Sequence, residues 1–480
     1  MNKEISKFLK HNHSSFKKII KILENKFEYV SILATDCEGK ELMVSEKSVA
    51  INDNYFQERG FVVRVFNDGL FSEYSFDRID DVEDICSRII SSLDVNDLVY
   101  KAIYVKKSKT KLYEEEEIKK DFSKMDKYEG IGLDEIIKDC KMTINDEMED
   151  NEYIISARFN IEYLKVSKMF ISSKKDLSQV YAWADAKYTC IVNKDDITKF
   201  NYGAESAMSL CEAINKLKKK IKSINEMAVL LLDATNVISG EYDCITSPDV
   251  TGLIAHEAFG HGVEMDMFVK NRALGKQFID KQVGSPLVTM HEGAIPYDDV
   301  SSYFFDDEGT LAHDTVEIQD GILKTGIADA ISASRLNILP TGNGKRESFK
   351  RKAYTRMTAT YFESKDSNLK DMIASIQYGF LLDVALGGME DPKNWGIQCQ
   401  ALVGREIKDG KLTGKIVSPI IITGYVIDLL NSVSMVSNDF ALYGSGACGK
   451  GYKEFVKTSI GGPYLKVKVK IGWWIKLLSF

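Results

Sequence analysis

SPDVTGLIAHEAFGH, residues 247–261, holds two of the six histidines of the chain, with a glutamate directly after the first. The preceding GEYDCIT (240–246) has the composition of a strand. Ser-Pro-Asp then opens a helix, with Ser247 as N-cap and Pro248 as the first helical residue. His256 and His261 lie five positions apart, one more than in the metal-binding pattern H-E-x-x-H. In a regular helix that spacing turns the second imidazole about 140° away from the first, against about 40° for a spacing of four. One extra residue taken up as a π-type bulge returns both rings to one face. Gly260 is the residue best able to absorb the distortion, so the helix is expected to deform there.

Two imidazoles do not complete a metal site. Catalytic zinc usually takes three protein ligands and keeps a fourth position open. Glu257 is better placed as the general base for a water than as a ligand. Candidates for the third ligand are Glu264, Asp266 or a distant cysteine. Of these acids, support of the histidines is the preferred role. Among the eight cysteines, Cys448 in YGSGACGKG stands out, because the flanking glycines let its backbone approach another element and Lys450 could hold it as thiolate. Cys244 reads as facing the core of its strand, and the other six as small buried hydrophobes. His291 and His313 read as isolated surface or cleft residues. Asp306, Asp307 and Glu308 of FDDEGT read as a hairpin turn. Residues 444–451 nearly match a phosphate-binding G-x-x-x-x-G-K-[ST], but Gly451 replaces the hydroxyl residue and no helix can follow, so nucleotide hydrolysis is excluded.

With 480 residues, 44% hydrophobic and 28% charged, the chain suits two globular units. We place the boundary at residue 228, giving an N-terminal α+β region (1–228) and a C-terminal unit (229–480) rich in antiparallel sheet, an α+β fold overall. Residues 28–75 alternate as strands and hairpins, residues 81–93 form a helix, and 153–200 return to strands. The charged stretch 113–152 is expected to be a solvated helical segment, and 203–227 one long basic amphipathic helix. Further strands are expected at 285–292, 321–329, 418–427 and 465–471. A net charge of -8 excludes a general nucleic-acid binder. Scattered cysteines without C-x-x-C pairs fit reduced thiols. MNKEISKFLKHNHSSFKKIIKILENKF is an amphipathic helix rather than a signal peptide, and no stretch is apolar for long enough to span a bilayer. The closing GWWIKLLSF is expected to pack on the body of the protein. The expected location is the cytoplasm.

The motifs together resemble the TldD/PmbA family of metallopeptidases, in the TldD-like subunit that keeps the metal motif. They run in order: RVFNDG (64–69), GLIAHEAFGHGVEMD (252–266), FDDEGT (305–310), TGNGKR (341–346), GGMEDP (387–392), GACGKG (446–451) and GGP (461–463). The resemblance implies one Zn2+ per chain on His256, His261 and Cys448, with Glu257 as catalytic acid and base. It implies a mixed α/β N-terminal region before a β-rich catalytic domain, and peptides or unfolded segments as substrates. It further implies dimers enclosing the site, either homodimers or pairs with a homologous subunit that has lost the motif. After Cys448 the sequence departs from the family, with KGYKEFVKTSIGGP in place of a glycine-glutamine stretch. The rival reading is a non-catalytic, zinc-containing peptide-binding subunit of a hetero-oligomer; the intact Glu257 speaks against it.

Overall fold

The computed structural model describes residues 5–53, 57–124 except 103–109, 132–451 and 454–472, with side chains of 94–102 left aside. The expectation for the closing GWWIKLLSF falls, from residue 473 on, outside these. Among the described residues no helix is long and apolar enough to cross a membrane.

The fold is α+β with mostly antiparallel sheets. In the first half, long alternating segments pair as one eight-stranded sheet centred on Tyr29–Ser45, Ile154–Ser172 and Lys175–Lys194. The helix Lys7–Leu23, capped by Ser6, buries Leu9, Phe16, Ile19 and Leu23 in a core with Val30, Ile32 and Phe61 of that sheet. Asp81 caps the next helix by accepting the Asp84 N–H at 2.8 Å, as its position before the periodic run implies.

Two expectations are corrected here. The charged stretch 113–152 is not one solvated helix: Ile118–Lys124 pairs in parallel with Lys175–Tyr181, and Phe122 stacks on Phe304 at 4.8 Å. Further along it, Leu133–Asp150 forms a helix, which buries Ile136, Cys140 and Ile144. The run 203–227 begins as strand, since Ile197–Ala207 pairs with Ala184–Lys194, and only then forms the helices Leu210–Lys218 and Ile221–Leu230. In the first case a ladder partner distant in sequence overrides local periodicity, and in the second the continuation of a hairpin with the preceding strand does so.

In the second half a seven-stranded sheet closes on itself, because Tyr378–Asp391 pairs with both Gly240–Thr246 and Gly396–Lys408. A six-stranded sheet runs Ile322–Leu323, Asp314–Gln319, Met290–Gly293, Ala359–Phe362, Glu454–Gly462, Ala441–Lys450, with the last at its edge. The expected strands are shorter than drawn at 285–292 and 321–329, and 418–427 turns helical at Val426. Leu465–Gly472 alternates buried and open positions as its sequence requires. The helix opening at Pro248 is wedged between the two sheets. Gly252 permits this: a Cβ there would stand 2.3 Å from the backbone nitrogen of Gly461.

The halves are tied by buried ion pairs. Arg64 meets Glu308 at 2.5 Å, Lys168 meets Asp307 at 2.5 Å, and Arg346 meets Glu73 at 3.0 Å. FDDEGT is therefore a turn, closed by the Asp306 and Thr310 backbones, and also a clasp between sheets.

Candidate metal centre

The helix that starts at Pro248 with Ser247 at its N-cap changes at Ile254 into a π-helical turn over Ile254–Phe259. Widening the turn by one residue brings His256 and His261 together, their rings 5.2 Å apart. The break falls one residue earlier than expected, at Phe259 (φ -132°), while Gly260 keeps helical angles (φ -55°). Gly260 is needed for space: a Cβ there would stand 2.3 Å from Met357 Sδ.

Cys448 arrives from the edge strand Ala441–Lys450. One ligand atom from each of His256, His261 and Cys448 lies within 4.8 Å of the others. Cys448 Sγ is 3.7 Å from His261 Nε2, and Glu257 Oε2 is 3.8 Å from the same nitrogen. Two nitrogens and a sulfur at this separation are the donor set of a tetrahedral zinc site with one position open, and they fit that ion. Burial works against ionising the thiol, but His256 and then His261 bring it down to about 4.

Each imidazole is oriented from behind. His261 Nδ1 meets Glu264 Oε2 at 3.2 Å, leaving Nε2 to face Cys448. His256 Nδ1 meets Thr360 Oγ1 at 3.3 Å, and Thr360 donates to Glu292 Oε2 at 2.6 Å. Such partners fix which ring nitrogen is left for a metal. Asp266 lies one step further out, bonded by Lys450 at 2.8 Å. Lys450 also pairs with Glu264 at 3.1 Å, so it serves the acids behind His261 rather than the thiolate. Arg356, fully buried, donates to the Cys448 carbonyl at 2.5 Å and to that of Glu454 at 3.2 Å, gripping the hairpin that presents the thiol.

Thr360, Glu292 and Arg356 carry no local sequence signal; only the pairing of Glu292 with Thr360 across two strands unites the first two. His291 is not the isolated residue expected. It is buried, with Nδ1 2.6 Å from Asp314 and Nε2 2.9 Å from Glu363, stacked on Tyr361 at 4.9 Å. Burial opposes its protonation, but the two carboxylates raise its pKa. His313 is exposed, as expected.

Residues 239–472 match the PmbA/TldA metallopeptidase C-terminal domain, which sets the class. A metalloprotease of Methanocaldococcus jannaschii is 28% identical over 382 residues, 76% of this chain and 82% of the relative. A zinc metalloprotease TldD homolog of Saccharolobus solfataricus is 27% identical over 460 residues, 94% of this chain and 99% of the relative. The TldD homolog of Buchnera aphidicola (Acyrthosiphon pisum) is 32% identical over 248 residues, 52% of this chain and 51% of the relative. The solved structure of TldE from Thermococcus kodakarensis shares the fold, with a TM-score of 0.73 at 18% identity, covering 96% of this chain and 100% of that one. Residues 239–472 thus carry the C-terminal domain of the PmbA/TldD family, and relatives named TldD homologs match the chain at 27% and 32% identity. At the coarse level these relatives are metalloproteases by name.

Proposed function

We propose that this chain is a zinc-dependent peptidase in which His256, His261 and Cys448 hold one Zn2+ and Glu257 is the general base. The observation that carries this reading is the convergence of two imidazoles and a thiolate within 4.8 Å, with a carboxylate on the same face. The Saccharolobus relative, named a zinc metalloprotease, supports the choice of metal. Zinc, when bound, supplies a Lewis acid that polarises the scissile carbonyl and acidifies water. Glu257 accepts the proton of the attacking water on a carboxylate oxygen and passes it to the leaving amine nitrogen. Glu264 and the Thr360–Glu292 relay hold the imidazoles in orientation, with Asp266 and Lys450 behind Glu264. Gly260 leaves room for the packed turn between them.

The substrate is a peptide or unfolded segment lying extended. The Cys448 strand, at the edge of its sheet, offers unpaired backbone groups for such a chain. The solved TldE shares this fold, which suggests a homologous subunit or a second copy as assembly partner. The test compares wild type with Glu257→Ala at equal zinc content on a panel of unstructured peptides. Equal turnover by both would remove Glu257 from the mechanism.

A further inference from the structure

A cavity of about 440 Å³ opens on the first sheet, lined mainly by its strands Ile154–Ser172, Lys175–Lys194 and Ile197–Ala207. Its lining includes Arg158, Lys187 and Lys199 together with Phe200, Tyr202 and Leu386, and no acid. Arg158 stands on Ile154–Ser172 and Lys187 on the adjacent strand, two positions along, and so on the same face, from Arg158's own partner Thr189. They are close enough that, after burial, Arg158 is the largest influence lowering the Lys187 pKa, opposed only by Glu162. Lys187 Nζ sits 4.5 Å from the centre of the Tyr202 ring. Phe200 and Leu386, both large and apolar, are open to solvent, 44% and 37% exposed. Two cations side by side, walled by aromatic and aliphatic surface, make a receptacle for a carboxylate on an otherwise apolar chain.

The cavity is joined to the candidate site by one strand. The Tyr202 hydroxyl donates to the Ala385 carbonyl, fixing the strand Tyr378–Asp391 against the first sheet. Leu386 lines the cavity, and two residues on, a Cβ at Gly388 would stand 3.0 Å from Glu257 Cβ. The ladder bulges between Ala385 and Gly387, so Leu386 and Gly388 lie at most about 7 Å apart along the chain.

We propose that this cavity is a subsite for a carboxylate of the peptide substrate, held between Arg158 and Lys187 at a fixed number of residues from the scissile bond. The subsite rests on the peptidase reading above and gives it a substrate class: peptides acidic at one position, or ending there. The test measures binding of fluorescent unstructured peptides to the zinc-loaded Glu257→Gln protein, which holds them uncleaved. Glu is moved along a neutral sequence against Gln controls, and each peptide is made with a free or amidated C-terminus. We expect roughly fivefold tighter binding for a carboxylate at one position, with the two arms separating side chain from terminus. The preference disappears in Arg158→Gln/Lys187→Gln and in Leu386→Glu, which supplies its own carboxylate. Zinc content of each variant reports that it is folded. Equal binding of acid and amide peptides, or a preference that survives either variant, overturns the subsite. Parallel turnover by protein with intact Glu257 keeps the two readings apart: no cleavage of any peptide sinks the peptidase, whereas the acid-to-amide ratio judges the subsite.

Discussion

Two regions of this molecule bury charge, and they do so differently. At the seam between the halves buried cations meet carboxylates directly: Arg64 with Glu73 and Glu308, Arg346 with Glu73, Lys168 with Asp307. Burial works against ionising Glu73, yet Arg64 and then Arg346 bring it down to about 2. At the metal centre the acids face imidazoles, one directly and one through Thr360, and Lys450 neutralises the outer pair. Seam charges cancel among themselves, so they fix position and ask for nothing. The candidate centre leaves three donor atoms converging without a counter-cation, the arrangement on which the proposed ion site rests.

The sharpest way to break this contrast is at the proposed base. Glu257→Gln is expected to lower kcat by about 10²- to 10⁴-fold while zinc content stays at wild-type level. Loss of zinc along with activity would make Glu257 structural. Next in size, Arg64→Met leaves Glu308 buried without its cation and is expected to cost about 3–5 kcal/mol in denaturant unfolding. Adding Glu308→Gln should recover much of that; a cost below about 1 kcal/mol would show that the seam is not a closed ionic network.

Glu264→Gln keeps shape but weakens the hold on His261, and zinc affinity is expected to fall about 10- to 100-fold, read by competition with a chelator. An unchanged affinity would reduce Glu264 to a seam-like residue. The smallest effect concerns His291. Its pKa is raised in the folded state, so its stabilisation is complete below the unfolded value of about 6.5 and is lost as pH rises through the folded value. Wild type should therefore lose more stability than His291→Gln between pH 6 and pH 9, and more so at low salt, because Glu363 is partly open to solvent. Parallel losses in the two proteins would contradict the pairing.

Much of the site was legible because helix geometry is unforgiving. Five positions between His256 and His261 leave few ways to share a face, and the π-turn is the one adopted. The distortion was misplaced by one residue, since the flexibility of Gly260 drew attention to a position that needs space instead. Cys448 stood out by its glycines and by resemblance, but Lys450 was assigned to the wrong neighbour: two residues along a strand point the same way, and there Lys450 meets the acids Glu264 and Asp266. The Thr360–Glu292 relay was illegible, because its members meet only through strand register across 68 positions. The same limit hid the strand at Ile118–Lys124 inside a run of charges, whereas the strand end at Ala207 continues a hairpin that the helical pattern after it obscured.

The hairpin of Ala441–Lys450 with Glu454–Gly462 has a consequence in time. Cys448 lies 187 positions after His261, and its strand is ordered by a ladder partner that ends at Gly462. At about 5–20 residues per second, the ribosome needs on the order of ten to forty seconds between delivering the second histidine and delivering the thiol. Throughout that interval the growing chain holds two of the three proposed ligands. On the proposed reading, the order of synthesis leaves the third donor to the late-made hairpin, and the site is completed only when that hairpin pairs.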